Sequence, residues 1–489
     1  MTLLRKIAVG LCFASAMVSP AFAQAPKAKN VILLITDGAG IETWRAGSFF
    51  RHGALGHEAY DDFDVQIFSS TYPLNTSNEP TKTNEGSVTF DPAKLWDDAK
   101  VDTVFEGNLG SYPGFFAGYD YTRADFTDSA AAATALASGT KTYNNAINWS
   151  NDDTQLKHIG EYVVDSGRSL GVITSVEWTH ATPAGFLGHN RSRNDYAALG
   201  KEVVDSGLAT VVFGTGHPYF KGDGTRIENP TDKDFRFVGG KETWERLTGG
   251  QTDYAHIETK EDFEKLAAGE HDLGGKSKVI GTAQNIATLQ FNRPGVTAGN
   301  LLDNTPSLPT MTKAALNVLE KNDKGFFLMV EGGAVDWAAH ANNLPRLIEE
   351  QIDFNEAVET VVEWVEKNSS WDETLVIVTT DHGNGLLQGP DSNTVAYSPI
   401  INQGAGALPL VRWNTDNHTR ELVPVYAHGA GADYFTKIAK KDDGLAIYNV
   451  PEESRVFIDN TDIFRGALDA FGIQEDAKNE EAKSENAKN

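Results

Sequence analysis

NVILLITDGAG, residues 30–40, is the stretch that decides the fold. Residues 31–35 form an unbroken apolar run, the mark of a strand buried on both faces and so of a parallel sheet covered on each side. The run ends in Thr36-Asp37-Gly38-Ala39-Gly40, which stands Asp37 at the C-terminal end of the strand. In open α/β sheets that edge is where ligands bind. A turn or cap would also carry an Asp, and this motif alone leaves the two readings even.

The pattern recurs downstream. Residues 170–176 read as a second buried strand, running into Glu177-Trp178-Thr179-His180-Ala181-Thr182-Pro183. Residues 325–330 are a third, followed by Glu331, Asp336 and His340, the last two one helical turn apart. Residues 374–378 are a fourth, ending in Thr379-Thr380-Asp381-His382-Gly383. Asp416-Asn417-His418-Thr419 precedes a fifth at 422–427. Helical spacing in 156–166, 311–319 and 352–365 alternates with these runs, which makes the class α/β. Asp and His at one spacing suit a zinc ion, and an Asp–His surface pair would have the same spacing.

Between the first two strands lies Thr127-Asp128-Ser129 and an alanine-rich run to Ser138, then Gly139. Alanines favour helix and Gly a C-terminal stop. Ser129 therefore sits at a helix N-terminus, where free N–H groups and the helix dipole favour an anion. By itself this is what a capping serine looks like. Arg193, four residues after His189, offers a planar fork that suits two oxygens of one phosphate, or a surface salt bridge.

Composition bounds the rest. Residues 1–23 carry Arg5 and Lys6, an apolar run and Ala21-Phe22-Ala23, the form of a secretory signal too short to span a membrane. Cys12, the only cysteine, lies within it, so the mature chain is expected to have neither disulfide nor thiol chemistry. Loss of Arg5 and Lys6 with that segment, which holds no acid, takes the formal charge from −26 to −28. That argues against a nucleic-acid-binding surface. It also means that an anion site needs strong local positive charge, which metals would supply. No other run is long enough for a membrane span. Residues 51–115 read as a mostly irregular insertion with minor strands, such as the alternating piece 65–69, along one edge of the site; 209–300 hold a strand at 210–213 and then segments, around 254–257 and 261–268, that read as a peripheral cap or insertion. Residues 475–489 read as a disordered charged tail.

Taken together, Asp37, Thr182, Glu331, Asp336, His340, Asp381, His382 and His418 gather at one edge of one sheet, and so many buried acids require cations. At this point the chain resembles the alkaline phosphatase family. The matching segments are 30–40, 128–145 (DSAAAATALASGTKTYNN), 179–183 (THATP), 330–343 (VEGGAVDWAAHANN), 380–382 (TDH) and His418-Thr419, in the family's order and spanning about 30–435. The resemblance implies a three-layer sandwich with a central, mostly parallel sheet flanked by helices, and a single catalytic domain over 24–474. It implies hydrolysis of phosphate monoesters through a phosphoserine on Ser129, with Arg193 clamping the phosphate and Asp128 orienting Arg193. It further implies two zinc ions, one on Asp336, His340 and His418 and one on Asp37, Asp381 and His382. A magnesium ion would be held by Asp37, Thr182 and Glu331. A homodimer, exported to the periplasm or beyond, is the implied form. Arg420 departs from the glycine the family commonly has after His-Thr, and Gly383-Asn384-Gly385 reads as a loose loop. The competing readings are a phosphodiesterase or mutase of the same superfamily, and a non-catalytic metal- or phosphate-binding protein. A sulfatase lacks a cysteine source in the mature chain.

Overall fold

The computed structural model describes residues 27–295 and 301–476. The signal read at 1–23, with Cys12, and residues 477–489 of the charged tail lie outside the described residues.

Strand β1 (Asn30–Thr36) is buried along its whole length. Its side chains alternate between two cores, as a strand's period of two requires. Ile32 and Leu34 join one core with Met311, Ala315, Phe354 and Val358. Val31, Leu33 and Ile35 join the other with Leu136, Ile159, Val163, Phe464 and Leu468. These partners come from helices on opposite faces, giving the expected three layers.

The sheet adds β2 (Val65–Ser70), β3 (Ser169–Glu177), β4 (Val211–Thr215), β5 (Tyr254–Ile257), β6 (Lys278–Thr282), β7 (Phe326–Gly332), β8 (Thr374–Thr379), β9 (Val423–Gly429), β10 (Lys440–Lys441) and β11 (Val456–Asp459). The order across its 11 strands is β10-β11-β2-β9-β8-β1-β7-β3-β4-β6-β5. Every neighbouring pair from β8 to β5 is parallel. β9 runs antiparallel to both β8 and β2. An antiparallel strand begins where its parallel neighbours end, so His418, just before β9, reaches the edge at which β1, β7 and β8 finish.

Around the sheet lie α1 (Ser129–Ser138), α2 (Ile159–Asp165), α3 (Ala181–Gly185), α4 (Tyr196–Ser206), α5 (Leu308–Leu319), α6 (Ala334–His340), α7 (Leu344–Asn368) and α8 (Thr461–Phe471). All ten residues of α1 are buried. Its alanines let the helix sit close to its neighbours, and Gly139 ends it at φ +66° where a Cβ would stand 2.5 Å from the Phe464 ring.

Two stretches differ from their sequence reading. Residues 209–300 supply β4, β5 and β6 to the central sheet itself rather than forming a peripheral cap. Their strands are short and lie among Gly-rich and charged turns, so the run length that marks the central strands is missing. Residues 51–115 likewise contribute β2 to the sheet, together with an antiparallel hairpin of Lys100–Glu106 and Ser111–Phe116. The hairpin does lie along the site: Leu109 N donates to Asp416 Oδ2 at 2.6 Å and Tyr112 Oη to Asn342 Oδ1 at 2.8 Å. Among the described residues no helix is long and apolar enough to cross a membrane.

Candidate metal centre and active site

Register brings the acids together. Ile35 of β1 pairs with Glu331 of β7 and with Thr379 of β8, and Glu331 also pairs with Thr174 of β3. The residues that follow these strand ends therefore share one small volume. Asp37, Glu331, Asp381 and His382 are fully buried there, and Asp336 and His418 nearly so.

Two clusters of ligand type result: Asp37 with Asp381 and His382, and Asp336 with His382 and His418. His382 Nε2 lies 3.1 Å from Asp381 Oδ2 and 3.6 Å from Asp37 Oδ1. Asp381 Oδ1 is held by the Gly38 and His382 amides at 3.1 and 2.9 Å, which turns Oδ2 inward. Gly38 has φ +70°, and a Cβ on it would stand 2.6 Å from Asp336 Oδ1. Only glycine lets the two carboxylate-bearing segments approach this closely. On the other side, α6 places Asp336 and His340 on one face as the spacing predicted, with Asp336 Oδ2 3.4 Å from His340 Nε2. Asp336 Oδ1 is 3.4 Å from His418 Nε2.

The three imidazoles are oriented from behind. His340 Nδ1 donates to Asp416 O at 2.7 Å, His418 Nδ1 to Thr127 O at 2.8 Å and His382 Nδ1 to Gly383 O at 3.2 Å. Each ring thus carries its proton on Nδ1 and turns the Nε2 lone pair into the pocket, the usual second contact of a metal-bound histidine. His340 Nε2 and His418 Nε2 face each other at 3.0 Å. Two lone pairs at that distance repel, and a cation between them removes the conflict.

The oxygen-only group sits behind. Thr182 Oγ1, on α3, lies 3.4 Å from Asp37 Oδ2. Thr174 Oγ1 donates to Glu331 Oε2. Asp37 Oδ1, Asp381 Oδ2 and Glu331 Oε1 are buried and accept no hydrogen bond among the described residues. Unpaired buried carboxylate oxygens are costly. Burial, with the charges of Asp381, Asp336 and Glu331, pushes Asp37 well above the usual carboxylate range. Burial, and then repulsion from Asp381, lifts Glu331 to about 7. The donor chemistry therefore fits cations: imidazole and carboxylate for zinc, oxygens alone for magnesium.

Ser129 opens α1, whose cap is Asp128, with Oδ1 accepting from Ala131 N at 3.0 Å. Ser129 Oγ is 3.2 Å from His382 Nε2, which brings the hydroxyl, the helix N-terminus and the metal ligands to one point. Arg193 Nη1 donates to Asp128 Oδ2 at 3.0 Å, and its Nη2 is 3.4 Å from His180 Nε2. Burial, and then the Arg193 charge, push His180 down to about 3, so the ring beside the guanidinium is neutral.

The site residues read from the sequence thus lie in one contiguous cluster at this edge of the sheet. Others were missed. Asn384 donates to Asp336 Oδ1 at 2.7 Å, and its segment pairs with His418-Thr419, so the glycine-flanked loop is a small ladder rather than a loose one. Thr174 lies inside a strand with nothing in its sequence to mark it. The carbonyls of Thr127, Asp416 and Gly383 have no sequence signature at all. Arg420 leaves His418 in place: its Nε donates to Tyr121 O at 2.7 Å and its guanidinium lies 3.6 Å from the Tyr121 ring centre. There it tethers the segment that leads into Ser129.

Comparison with known proteins agrees with this geometry. A family model described as alkaline phosphatase matches residues 112–443. Alkaline phosphatase 4 of Bacillus subtilis is 34% identical over 65% of this chain and 75% of its own length. Alkaline phosphatase of Escherichia coli is 27% identical, over 83% and 82%. Among solved structures, an alkaline phosphatase from the Antarctic bacterium TAB5 has the same fold, with TM-score 0.59 and 23% identity over 92% of this chain and 100% of its own. That of Thermus thermophilus gives 0.61 and 18%, over 97% and 100%. The chain belongs to the alkaline phosphatase family, metal-dependent enzymes that hydrolyse phosphate monoesters.

Proposed function

We propose that Ser129 is the nucleophile, that Arg193 with its partner Asp128 grips the phosphate, and that two zinc ions and one magnesium ion occupy the three donor groups. Asp336, His340 and His418 would hold one zinc, Asp37, Asp381 and His382 the other, and Asp37, Thr182 and Glu331 the magnesium. The observation that carries this reading is the 3.2 Å contact of Ser129 Oγ with His382 Nε2, at the N-terminus of a helix. A histidine-to-aspartate mutant of the TAB5 alkaline phosphatase is described with Mg bound in the M3 site; what favours magnesium in this chain is the oxygen-only donor set of Asp37, Thr182 and Glu331.

When bound, the ions would lower the pKa of the Ser129 hydroxyl and of water, the latter to roughly 7, and offset charge on the leaving oxygen. The residues do the rest. Ser129 Oγ forms a bond to phosphorus as the ester oxygen leaves, and the α1 amides face the phosphate oxygens. Arg193, braced by Asp128, presents its free donors to two of those oxygens. Water then cleaves the phosphoserine and restores the hydroxyl. The same reading takes the chain as one catalytic domain over 24–474, a homodimer, exported after cleavage near residue 23. These rest on the resemblance and the N-terminal motif.

The test is chemical trapping. Cleavage of the intermediate needs deprotonated water, whereas its formation from free phosphate releases water. Enzyme incubated with phosphate in mild acid, with zinc retained, is expected to carry a phosphate on the peptide containing Ser129 and to lose it on return to alkaline pH. Absence of the adduct from zinc-loaded enzyme would favour direct attack by water.

A further inference from the structure

A second cluster of metal-ligand type stands apart from the active site. His158, Glu161 and His189 each bring one ligand atom to within 4.8 Å of the others. His158 is the N-cap of α2 and Glu161 lies in its first turn. His189 lies between α3 and α4, four residues before Arg193. Glu161 Oε2 is 3.3 Å from His189 Nε2 and 3.8 Å from His158 Nε2. In the active site the corresponding separations run from 3.0 to 3.6 Å, so the spacing here is only slightly wider.

Three further features point to a ligand. His158 is 0% exposed, and its Nε2, on the side of Glu161, has no hydrogen-bond partner among the described residues. His189 Nδ1 is held by Glu202 Oε1, on α4, at 3.0 Å, the carboxylate–imidazole arrangement that backs metal-bound histidines. A carbonyl oxygen, that of Leu156, stands 3.1 Å from His189 Nε2, a further oxygen at the edge of the cluster. Charge agrees as well: Glu161 and Glu202 bring two negative charges, which a dication balances with both rings neutral.

We propose that His158 Nε2, His189 Nε2 and Glu161 bind a structural divalent transition-metal ion of the zinc class. The ion would pin the N-terminus of α2 to the segment leading to Arg193. Two histidines and a carboxylate are a zinc-type donor set. Gly160 N donates to His158 Nδ1 at 3.2 Å, a long contact that metal binding exchanges for a metal–nitrogen bond as the proton moves from Nε2 to Nδ1. The rival occupant is a proton. Against the pull of burial, Glu161 and Glu202 hold His189 up at about 9 without a metal.

The experiment compares zinc content per chain, by elemental analysis after desalting, in the zinc- and magnesium-loaded parent and in His158→Asn and Glu161→Gln. Asn is a good helix cap, and Gln keeps an oxygen to accept from the His158 amide, so both variants retain the capping of α2. One zinc fewer in each variant, with monoester hydrolysis retained, is the expected result. Zinc content equal to the parent in either folded variant would overturn the proposal and assign the cluster to a proton. Only the difference is read, so the outcome does not depend on how many ions the active site holds.

Discussion

Removal of the Arg193 side chain tests the phosphate clamp most directly. Asp128 Oδ2 takes one donor of this guanidinium, and its neighbour His180 is a neutral ring at 3.4 Å. With Nη2 turned to His180, the remaining donors have no partner among the described residues and can reach a phosphate. Arg193→Ala should leave the helix cap standing, because Asp128 Oδ1 still accepts from Ala131 N at 3.0 Å and Asn145 N at 3.1 Å. The bereft Asp128 Oδ2 belongs to a side chain 19% exposed, so water can solvate it and little stability is lost. What disappears is a charge-assisted fork, about 1.5–3 kcal/mol. At about 1.4 kcal/mol per decade this is roughly a 10- to 100-fold weaker inhibition by inorganic phosphate. Turnover falls as well, and metal content stays constant, since among the described residues no hydrogen bond links Arg193 to a ligand of the two proposed zincs. Arg193→Lys keeps the charge without the planar fork and should fall between the two. The assay is the phosphate inhibition constant beside metal content. An unchanged constant in Arg193→Ala would remove Arg193 from the phosphate site.

Ser129→Ala should lose most activity while melting temperature and metal content hold, because only the hydroxyl is removed; near-parental turnover would exclude a covalent route. Chelation should lower the melting temperature as well as the activity, since the buried oxygens of Asp37, Glu331 and Asp381 lose their counter-charge; equal melting of metal-free and loaded protein would contradict the cation reading. Glu350→Gln should stabilise the protein at alkaline pH. Burial, then Asp353 and Glu349, push the Glu350 carboxyl up to about 8 from an ordinary 4.5, so its contribution is full below 4.5 and falls as pH rises through 8. The gain over the parent should therefore be larger at pH ~9 than at pH ~6, reaching several kcal/mol by linkage, at about 1.4 kcal/mol per pKa unit; a pH-independent effect on melting would refute it.

The chain's own pattern carried the fold class and the reacting groups. Short unbroken apolar runs bounded by turn residues read as strands covered on both faces, and polar residues that end such runs then lie at a sheet edge. Hence Asp37, Glu331 and Asp381 could be assigned to one edge before any contact was known, and the four-residue spacing put Asp336 beside His340 on one helix face. Where the runs shorten, the signal weakens: 210–213 could be read as a strand but not placed in the central sheet, and β5 and β6 were hidden because the turns around them dominate the local composition. Their place in the sheet is set by long-range pairing, of β4 with β3, β6 with β4 and β5 with β6. Tertiary structure alone decided what surrounds the reacting groups. The carbonyls of Thr127, Asp416 and Gly383 orient the three histidines, and a backbone carbonyl is the same in every residue, so no sequence pattern marks it. Asn384 and Arg420 act across the chain, on Asp336 and on Tyr121, at separations that no local spacing rule reaches. Residue type determined which chemistry was available, and packing determined which atoms face one another, because hydrogen-bond direction and burial depend on neighbours hundreds of residues away.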